Sequence, residues 1–245
     1  MPKKKRLLWA APLGLLALSL SYFLIWNAEK PSMIAESTAE RIKVFYAQMH
    51  SKGILKEQMN LFLRAFKTEQ ELEVWVSDAK QKEFQHLLTY SICKSSGTLG
   101  PKRKEGDLQV PEGLYHIDRM NPNSAYHLSM GLNFPNASDL IRGDQHEPGS
   151  DIFIHGRCVT VGCLPITNPK IEELYELVTQ AQSNGQQRIP VHIFPARMDD
   201  PNFLASLQHS PHSSFWSELL PLYQYFEQQR QVPNFTIDET GAYQL

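Results

Sequence analysis

Apolar residues recur at helical spacing between residues 42 and 66, and this pattern predicts two helical segments. A polar stretch at residues 51–53 with a glycine separates them. The apolar positions are Ile42, Phe45, Met49, Leu55, Met59, Phe62 and Phe66. We expect these segments to pack on a main domain or to space it from a membrane.

The pattern changes near residue 71. The segments LEVWVSD and EFQHLLTYSIC alternate apolar and polar residues, are rich in β-branched and aromatic side chains, and are joined by a short polar turn. They predict a β-hairpin. Residues 94–113, KSSGTLGPKRKEGDLQVPEG, are too polar for a core. Loops of this length are usually functional or disordered.

Four further segments predict strands, and two predict helices. The strands are LYHIDRM, YHLSMGLNF, DIFIHGR and RIPVHIFPAR. NPKIEELYELVTQAQ predicts a helix with Asn168 as N-cap and Pro169 in its first turn. SSFWSELLPLYQYFEQQRQ predicts a C-terminal helix that buries Phe215, Trp216, Tyr223 and Phe226. The predicted fold class is mostly β with flanking helices. The main domain is predicted at residues 70–196, and a C-terminal helical extension at residues 197–245.

The first residues carry an export signal. A basic cluster at residues 3–6 precedes Leu7–Trp26, which has no charged side chain and is long enough to span a bilayer. No small-residue cleavage site is evident, so we interpret residues 1–28 as a membrane anchor in preference to a cleaved signal peptide. Residues 29–69 are then a helical spacer. The basic cluster places the body on the periplasmic side of the inner membrane.

Charge argues against nucleic acid as a partner. Outside the basic cluster the chain carries 20 basic and 26 acidic side chains. Domains that bind nucleic acid usually present a strongly basic face. We therefore expect no nucleic-acid partner.

The segment DIFIHGRCVTVGC, residues 151–163, holds the candidate chemistry. His155 ends a predicted strand, and Cys163 follows Gly162 in a turn. A cysteine nucleophile needs a base, exposure and donors for the developing oxyanion. His155 supplies the base, Thr160 orients the turn through its hydroxyl, and the turn amides around Gly162 supply donors. From the residues alone, a buried cysteine and a core histidine are an equally good interpretation.

The chain has three cysteines, an odd number that leaves one thiol unpaired. We expect Cys158 to pack without a partner; pairing with Cys93 is the alternative. A bond from Cys158 to Cys163 would act as a redox lock. A zinc site from His155, Cys158, Cys163 and His146 is a weaker alternative, so the prediction is no metal and no cofactor.

Together, SGTLGPKRKEGDLQVPEGLYHID, YHLSMGLNFPNASD and DIFIHGRCVTVGC resemble the L,D-transpeptidase catalytic domain of bacterial cell-wall enzymes, nearest to a periplasmic subgroup with short His-to-Cys spacing. The resemblance covers roughly residues 70–195 and implies a β-sandwich-like fold. It assigns the nucleophile to Cys163 and the general base to His155. The family's turn histidine is replaced here by Val161.

The resemblance implies acyl transfer on peptidoglycan stem peptides through a thioester at the diaminopimelate carbonyl. The acceptor is an amine, which gives a 3→3 cross-link or an anchored lipoprotein, or it is water, which makes the protein an amidase that releases lipoprotein or peptide. A scaffold that binds peptidoglycan without catalysis is the alternative from another class.

Three residues are further candidates for substrate binding. Gly156 permits a tight exit from the strand of His155. Arg142 is expected to meet substrate carboxylates, since guanidinium binds them bidentately. His127 lies on a strand pattern, where packing is the favoured interpretation; it would line the cleft if its strand runs beside that of His155. For Arg119 and Lys102–Lys104 we favour a solvated loop.

Overall fold

The computed structural model describes residues 37–81 and 83–245. The chain divides into two compact units, residues 1–41 and residues 42–245. Of the first unit only residues 37–41 are described, and they are helical. The predicted anchor at 1–28 lies outside the described residues. Within the described ranges, no helix has the length and apolar character needed to cross a membrane.

An eight-stranded mixed sheet forms the centre of the second unit, in the order β3-β2-β1-β8-β4-β5-β6-β7. The pairs β1–β8 and β6–β7 are parallel, and the others are antiparallel. The strands are β1 Met59–Phe66, β2 Glu71–Asp78, β3 Gln85–Ser91, β4 Gly113–Ser124, β5 His127–Leu132, β6 Phe153–His155, β7 Leu164–Pro165 and β8 Ile189–Phe194. The short strands β9 Thr236–Ile237 and β10 Tyr243–Gln244 pair separately.

Helices flank the sheet, so the predicted mostly-β class with flanking helices is confirmed. A helical segment at residues 42–51 opens the unit, and a 3-10 turn, Lys56–Gln58, precedes β1. The later helices are α1 Ala137–Arg142, α2 Asn168–Ser183, α3 Pro201–Leu207 and α4 Ser213–Gln229.

Alternate residues of the central strands serve two cores. In β1, Leu61 and Leu63 join the cluster that includes the apolar face of α2, whereas Phe66 joins the cluster that includes Trp216 of α4. The period of two in a strand sends successive side chains to opposite faces. Both faces of the sheet are therefore covered, and the C-terminal segment belongs to the core. The predicted buried face of its helix is confirmed.

Two predictions about local structure are wrong. Residues 59–66 form β1 and not a helix. Nearly every residue of β1 is buried, so the strand is a continuous apolar run that also satisfies helical spacing. The domain boundary drawn at residue 70 consequently falls between β1 and β2. The N-cap of α2 is Thr167 and not Asn168. The Asn168 side chain instead accepts a hydrogen bond from the main-chain N–H of Arg157.

Candidate active site

The turn before Cys163 is organised by one hydroxyl. Thr160 Oγ1 accepts from the main-chain N–H of Cys163 at 2.7 Å and of Gly162 at 3.2 Å, and it donates to the Cys163 carbonyl at 2.8 Å. Gly162 has φ +128°, and a Cβ there would lie 3.0 Å from the Gln109 carbonyl. Both the backbone conformation and the close approach therefore require glycine at this position.

These hydrogen bonds bear on the expected oxyanion donors. The N–H groups of Gly162 and Cys163 are both directed at Thr160. They support the orienting role expected for Thr160. They give no support to an oxyanion role for Gly162, because its main-chain N–H already donates to Thr160 Oγ1.

His155 ends β6 and is buried, with 2% of its surface exposed. Its Nδ1 lies 2.6 Å from the Gly156 carbonyl oxygen. A carbonyl can only accept, so Nδ1 carries the proton and Nε2 keeps a lone pair. The ring of Tyr126 packs 4.8 Å from the imidazole, centroid to centroid. The imidazole is thereby held in the tautomer that a general base needs.

The strand register places Cys163 next to β6, the strand that ends at His155. In the parallel β6–β7 pair, Ile154 is opposite Leu164 and His155 is opposite Pro165. Ile154 and Leu164 both face the core. Cys163 directly precedes β7 and so lies near the start of β6. Strand spacing and rise put the Cα atoms of His155 and Cys163 on the order of 8 Å apart.

Electrostatics favour a neutral pair at rest. Burial raises the pKa of the Cys163 thiol above its usual 9.0; the Phe153 N–H and the Lys102 ammonium oppose this, and Asp151 adds to it. Burial lowers the pKa of His155 below 6.5, and its bond to Gly156 opposes this. The thiol is partly buried, with Sγ 3.7 Å from the Asp151 carbonyl. A neutral imidazole can accept a proton, and a neutral thiol can give one up.

The loop between His155 and Cys163 is pinned at several points. Cys158 forms a disulfide with Cys93 at the end of β3. The prediction that Cys158 packs without a partner is therefore wrong, and its sulfur is available neither to a metal nor to Cys163. Asn168 Oδ1 accepts from the Arg157 N–H at 2.7 Å. A Cβ on Gly156 would lie 2.8 Å from the Tyr126 carbonyl, so this exit from β6 has room for glycine alone.

Two carboxylates of the Gly-Asp…Pro-Glu-Gly segment hold the loop at 94–112. Asp107 accepts from Lys102 Nζ at 2.6 Å and from three main-chain N–H groups. Glu112, fully buried, accepts from Gly100 N at 2.7 Å, Lys67 Nζ at 2.9 Å and Trp216 Nε1 at 2.6 Å. In the sequence, both acids stood out only as part of the family signature. Because residues 94–113 are mostly polar, the local sequence held no signal that Glu112 would be buried.

His127 lies close to the site. Its Cβ lies 3.0 Å from the position of a Cβ on Gly156, and its Nε2 lies 2.7 Å from Glu172 Oε1. Tyr126, its neighbour, was not among the predicted site residues although it contacts His155 directly. An exposed aromatic residue at the start of a predicted strand was the available signal.

Arg142 lies on α1. It forms a bidentate ion pair with Glu218, at 2.9 and 3.0 Å, and donates to the Thr240 carbonyl at 3.0 Å. Its guanidinium is thus occupied by the C-terminal segment. The predicted role in substrate binding gains no support from these contacts.

The chain is similar to a family model, to other bacterial proteins and to solved structures. A family model of the L,D-transpeptidase catalytic domain, YkuD, matches residues 63–193. The chain is 39% identical over 179 residues to the "Putative L,D-transpeptidase YafK" of Escherichia coli (strain K12), which covers 72% of this chain and 70% of that protein. The protein of the same description from Escherichia coli O157:H7 matches equally.

A solved structure, the helical cell shape determining protein Pgp2 from Campylobacter jejuni, is 16% identical, with a TM-score of 0.45 and coverage of 74% of each chain. The family-model match spans more than half of the chain, from within β1 to the end of β8. By this match and by its identity to the Escherichia coli relatives, the chain belongs to the L,D-transpeptidase catalytic-domain family.

Proposed function

We propose that this protein transfers acyl groups of peptidoglycan stem peptides through a thioester on Cys163, with His155 as the general acid and base. Membership of the L,D-transpeptidase family supports peptidoglycan as the substrate. The observation that carries the finer proposal is the position of Cys163 directly before β7, next to the strand that ends at His155, whose Nδ1 is committed to the Gly156 carbonyl.

In the first half-reaction, Nε2 of His155 takes the thiol proton as Sγ attacks the carbonyl carbon of the diaminopimelate residue. The tetrahedral adduct collapses when the leaving amine takes that proton back from the imidazolium. The C–N bond breaks and a thioester remains. The difficult amide exchange is thus divided into two easier steps.

In the second half-reaction, an incoming amine or water gives its proton to His155 and attacks the thioester. The thiolate leaves and recovers the proton. An amine from another stem peptide gives a 3→3 cross-link; an amine of a lipoprotein gives an anchored lipoprotein. Water gives hydrolysis, which releases peptide or lipoprotein. The chemistry at Cys163 is the same for each acceptor.

The predicted export agrees with this substrate. Residues 1–28 are proposed to anchor the enzyme to the inner membrane and so to place it in the periplasm. The Cys93–Cys158 disulfide fits an oxidising compartment, because such bonds are rare in the bacterial cytosol.

Purified protein incubated with isolated sacculi tests the proposal. Muramidase digestion and mass spectrometry of the products should reveal new 3→3 dimers with an amine acceptor, or shortened stems and freed lipoprotein with water. Cys163→Ala should abolish either product. His209→Ala, which removes an exposed histidine on the surface, should not change the yield. Retention of the products by Cys163→Ala would refute the proposed nucleophile.

A thiol probe separates the enzyme from a scaffold. A carbapenem should add its mass to the wild-type protein and not to Cys163→Ala. An intact protein that binds sacculi but leaves Cys163 unlabelled would instead be a non-catalytic peptidoglycan-binding protein.

A further inference from the structure

Arg119 lies in one row across three strands that ends next to Cys163. On the face that carries His155, Arg119 of β4 is opposite Gly131 of β5, which is opposite Phe153 of β6. Phe153 in turn lies one position before Ile154, the partner of Leu164, and so neighbours Cys163. The row therefore ends at Phe153, whose main-chain N–H bonds to the Cys163 sulfur.

Gly131 leaves space for the side chain of Arg119 to lie along the sheet. A Cβ on Gly131 would lie 2.5 Å from Cγ and 2.7 Å from Cζ of Arg119. The guanidinium therefore occupies the space that any other residue at 131 would fill. Its Cζ lies 4.8 Å from the centroid of the Phe153 ring, so the guanidinium and the ring form a cation–π contact.

Asp151 connects the guanidinium to the thiol. Its main-chain oxygen lies 3.7 Å from Cys163 Sγ, and its carboxylate lies 2.9 Å from Arg119 Nη2. A positive charge is therefore held at a short distance from the bond that reacts.

The partners of Arg119 are replaceable. It pairs with Asp151, whose side chain is 74% exposed, and with Asp118, and its own side chain is 40% exposed. Exposed ion pairs contribute about 0–1 kcal/mol. A substrate carboxylate can take the place of Asp151 at little cost, and it gains a bidentate contact.

Neighbouring cations are less available. Lys102 is buried, with its Nζ bound to Asp107 and to the Lys104 carbonyl. Arg142 is bound to Glu218 and the Thr240 carbonyl. Arg119 combines partial exposure, exposed partners and a contact with Asp151, the residue whose carbonyl lies next to the thiol.

We propose that Arg119 binds a free carboxylate of the acyl-donor peptide and so positions the scissile carbonyl over Cys163. This inference rests on the proposed function and adds a specificity determinant to it. Two carboxylates of the donor have the required chemistry. One is on the side chain of diaminopimelate, whose carbon chain spans the distance when extended; the other is the terminal carboxylate of the leaving residue.

The test measures binding apart from catalysis. Cys163→Ala protein is titrated with L-Ala-γ-D-Glu-meso-diaminopimelate-D-Ala, and with two analogues in which either the side-chain or the terminal carboxylate is amidated. We expect Arg119→Ala in this background to weaken binding of the unmodified peptide about tenfold. It should not affect the analogue that lacks the carboxylate bound by Arg119, and this arm identifies the carboxylate. Arg119→Lys should retain part of the affinity.

Two control variants guard against indirect effects. Arg157→Gln removes an exposed positive charge on the loop after His155 and should leave the affinity unchanged. Asp151→Asn removes the competing carboxylate and should tighten binding. If Asp151→Asn weakens binding as much as Arg119→Ala does, the arginine only supports Asp151 and the inference is wrong.

The proposed function and this inference fail separately. Thioester formation by the wild-type protein is followed on the same peptides by intact mass. Two results would overturn the role of Arg119 even if the thioester forms. One is that Arg119→Ala leaves the affinity for all three peptides unchanged. The other is that Cys163→Ala protein with Arg119 intact shows no measurable binding. If binding depends on Arg119 but no thioester forms, the proposed role of Arg119 is supported and the proposed catalysis is refuted.

Discussion

The sharpest stability prediction concerns Glu112. This carboxylate is fully buried and accepts from Lys67 Nζ, Gly100 N and Trp216 Nε1. Lys67 is also buried; its other acceptors are the carbonyls of Gly100 and Val110, each at 2.9 Å. Burial lowers the pKa of Lys67, and the charge of Glu112 opposes this shift. Glu112→Ala would leave the ammonium without its counter-charge and two N–H donors without an acceptor.

The magnitude follows from these contacts. Removing one partner of a buried ion pair costs about 3–5 kcal/mol, and each orphaned buried donor adds roughly 1–3 kcal/mol. Water entering the space of the lost side chain offsets part of the sum. We expect Glu112→Ala to lower the free energy of unfolding by about 5 kcal/mol, at the low end of this sum, and the Tm by roughly 10–20 °C for a domain of this size.

Urea unfolding followed by tryptophan fluorescence, with a thermal scan, measures both values. The matched control is Glu71→Ala, since Glu71 pairs with Arg197 across side chains that are both 37% exposed. That loss should stay below about 1 kcal/mol. If the two variants lose equal stability, the buried network does not hold the loop at 94–112 and the reasoning is wrong.

Three further predictions concern the site. Replacing Cys93 and Cys158 together by alanine should lower stability by about 2–4 kcal/mol in urea unfolding, because the disulfide closes a loop across a separation of 65 residues; an unchanged midpoint would contradict this. The pH profile of kcat/KM should be flat from below pH 6.5 to above pH 9. The lowered pKa of His155 keeps the imidazole neutral on the acid side, and the raised pKa of Cys163 keeps the thiol protonated on the basic side. A loss of activity that begins above pH 6.5 on acidification would contradict this. Thr160→Val should lower kcat about tenfold or more with little change in Tm, because both turn N–H groups lose their acceptor; full kcat would exclude the orienting role.

Much of the sheet could be predicted because its strands alternate or carry clear turn signals. β2 and β3 appeared as a hairpin, and they pair antiparallel. β1 was missed for a physical reason. Its neighbours on both sides and the cores on both faces bury almost every residue, which removes the alternation that identifies a half-exposed strand.

The candidate pair was visible in the sequence because His155 and Cys163 lie close along the chain, beside glycines that mark a turn. The supporting contacts were not visible. Glu112 and Trp216 meet across 104 positions, and Cys93 meets Cys158 across 65. Such pairings depend on how strands are ordered in the sheet, which local patterns do not encode. The position of Arg119 needed the register of three strand pairs.

The most direct test of the central claim is the intact mass of the protein after reaction with the donor tetrapeptide. The account predicts that wild-type protein gains the mass of the donor minus the leaving amino acid, that fragmentation locates the added group on Cys163, and that His155→Ala forms it at least a hundredfold more slowly. No adduct, or an adduct of equal yield in Cys163→Ala, would contradict the account.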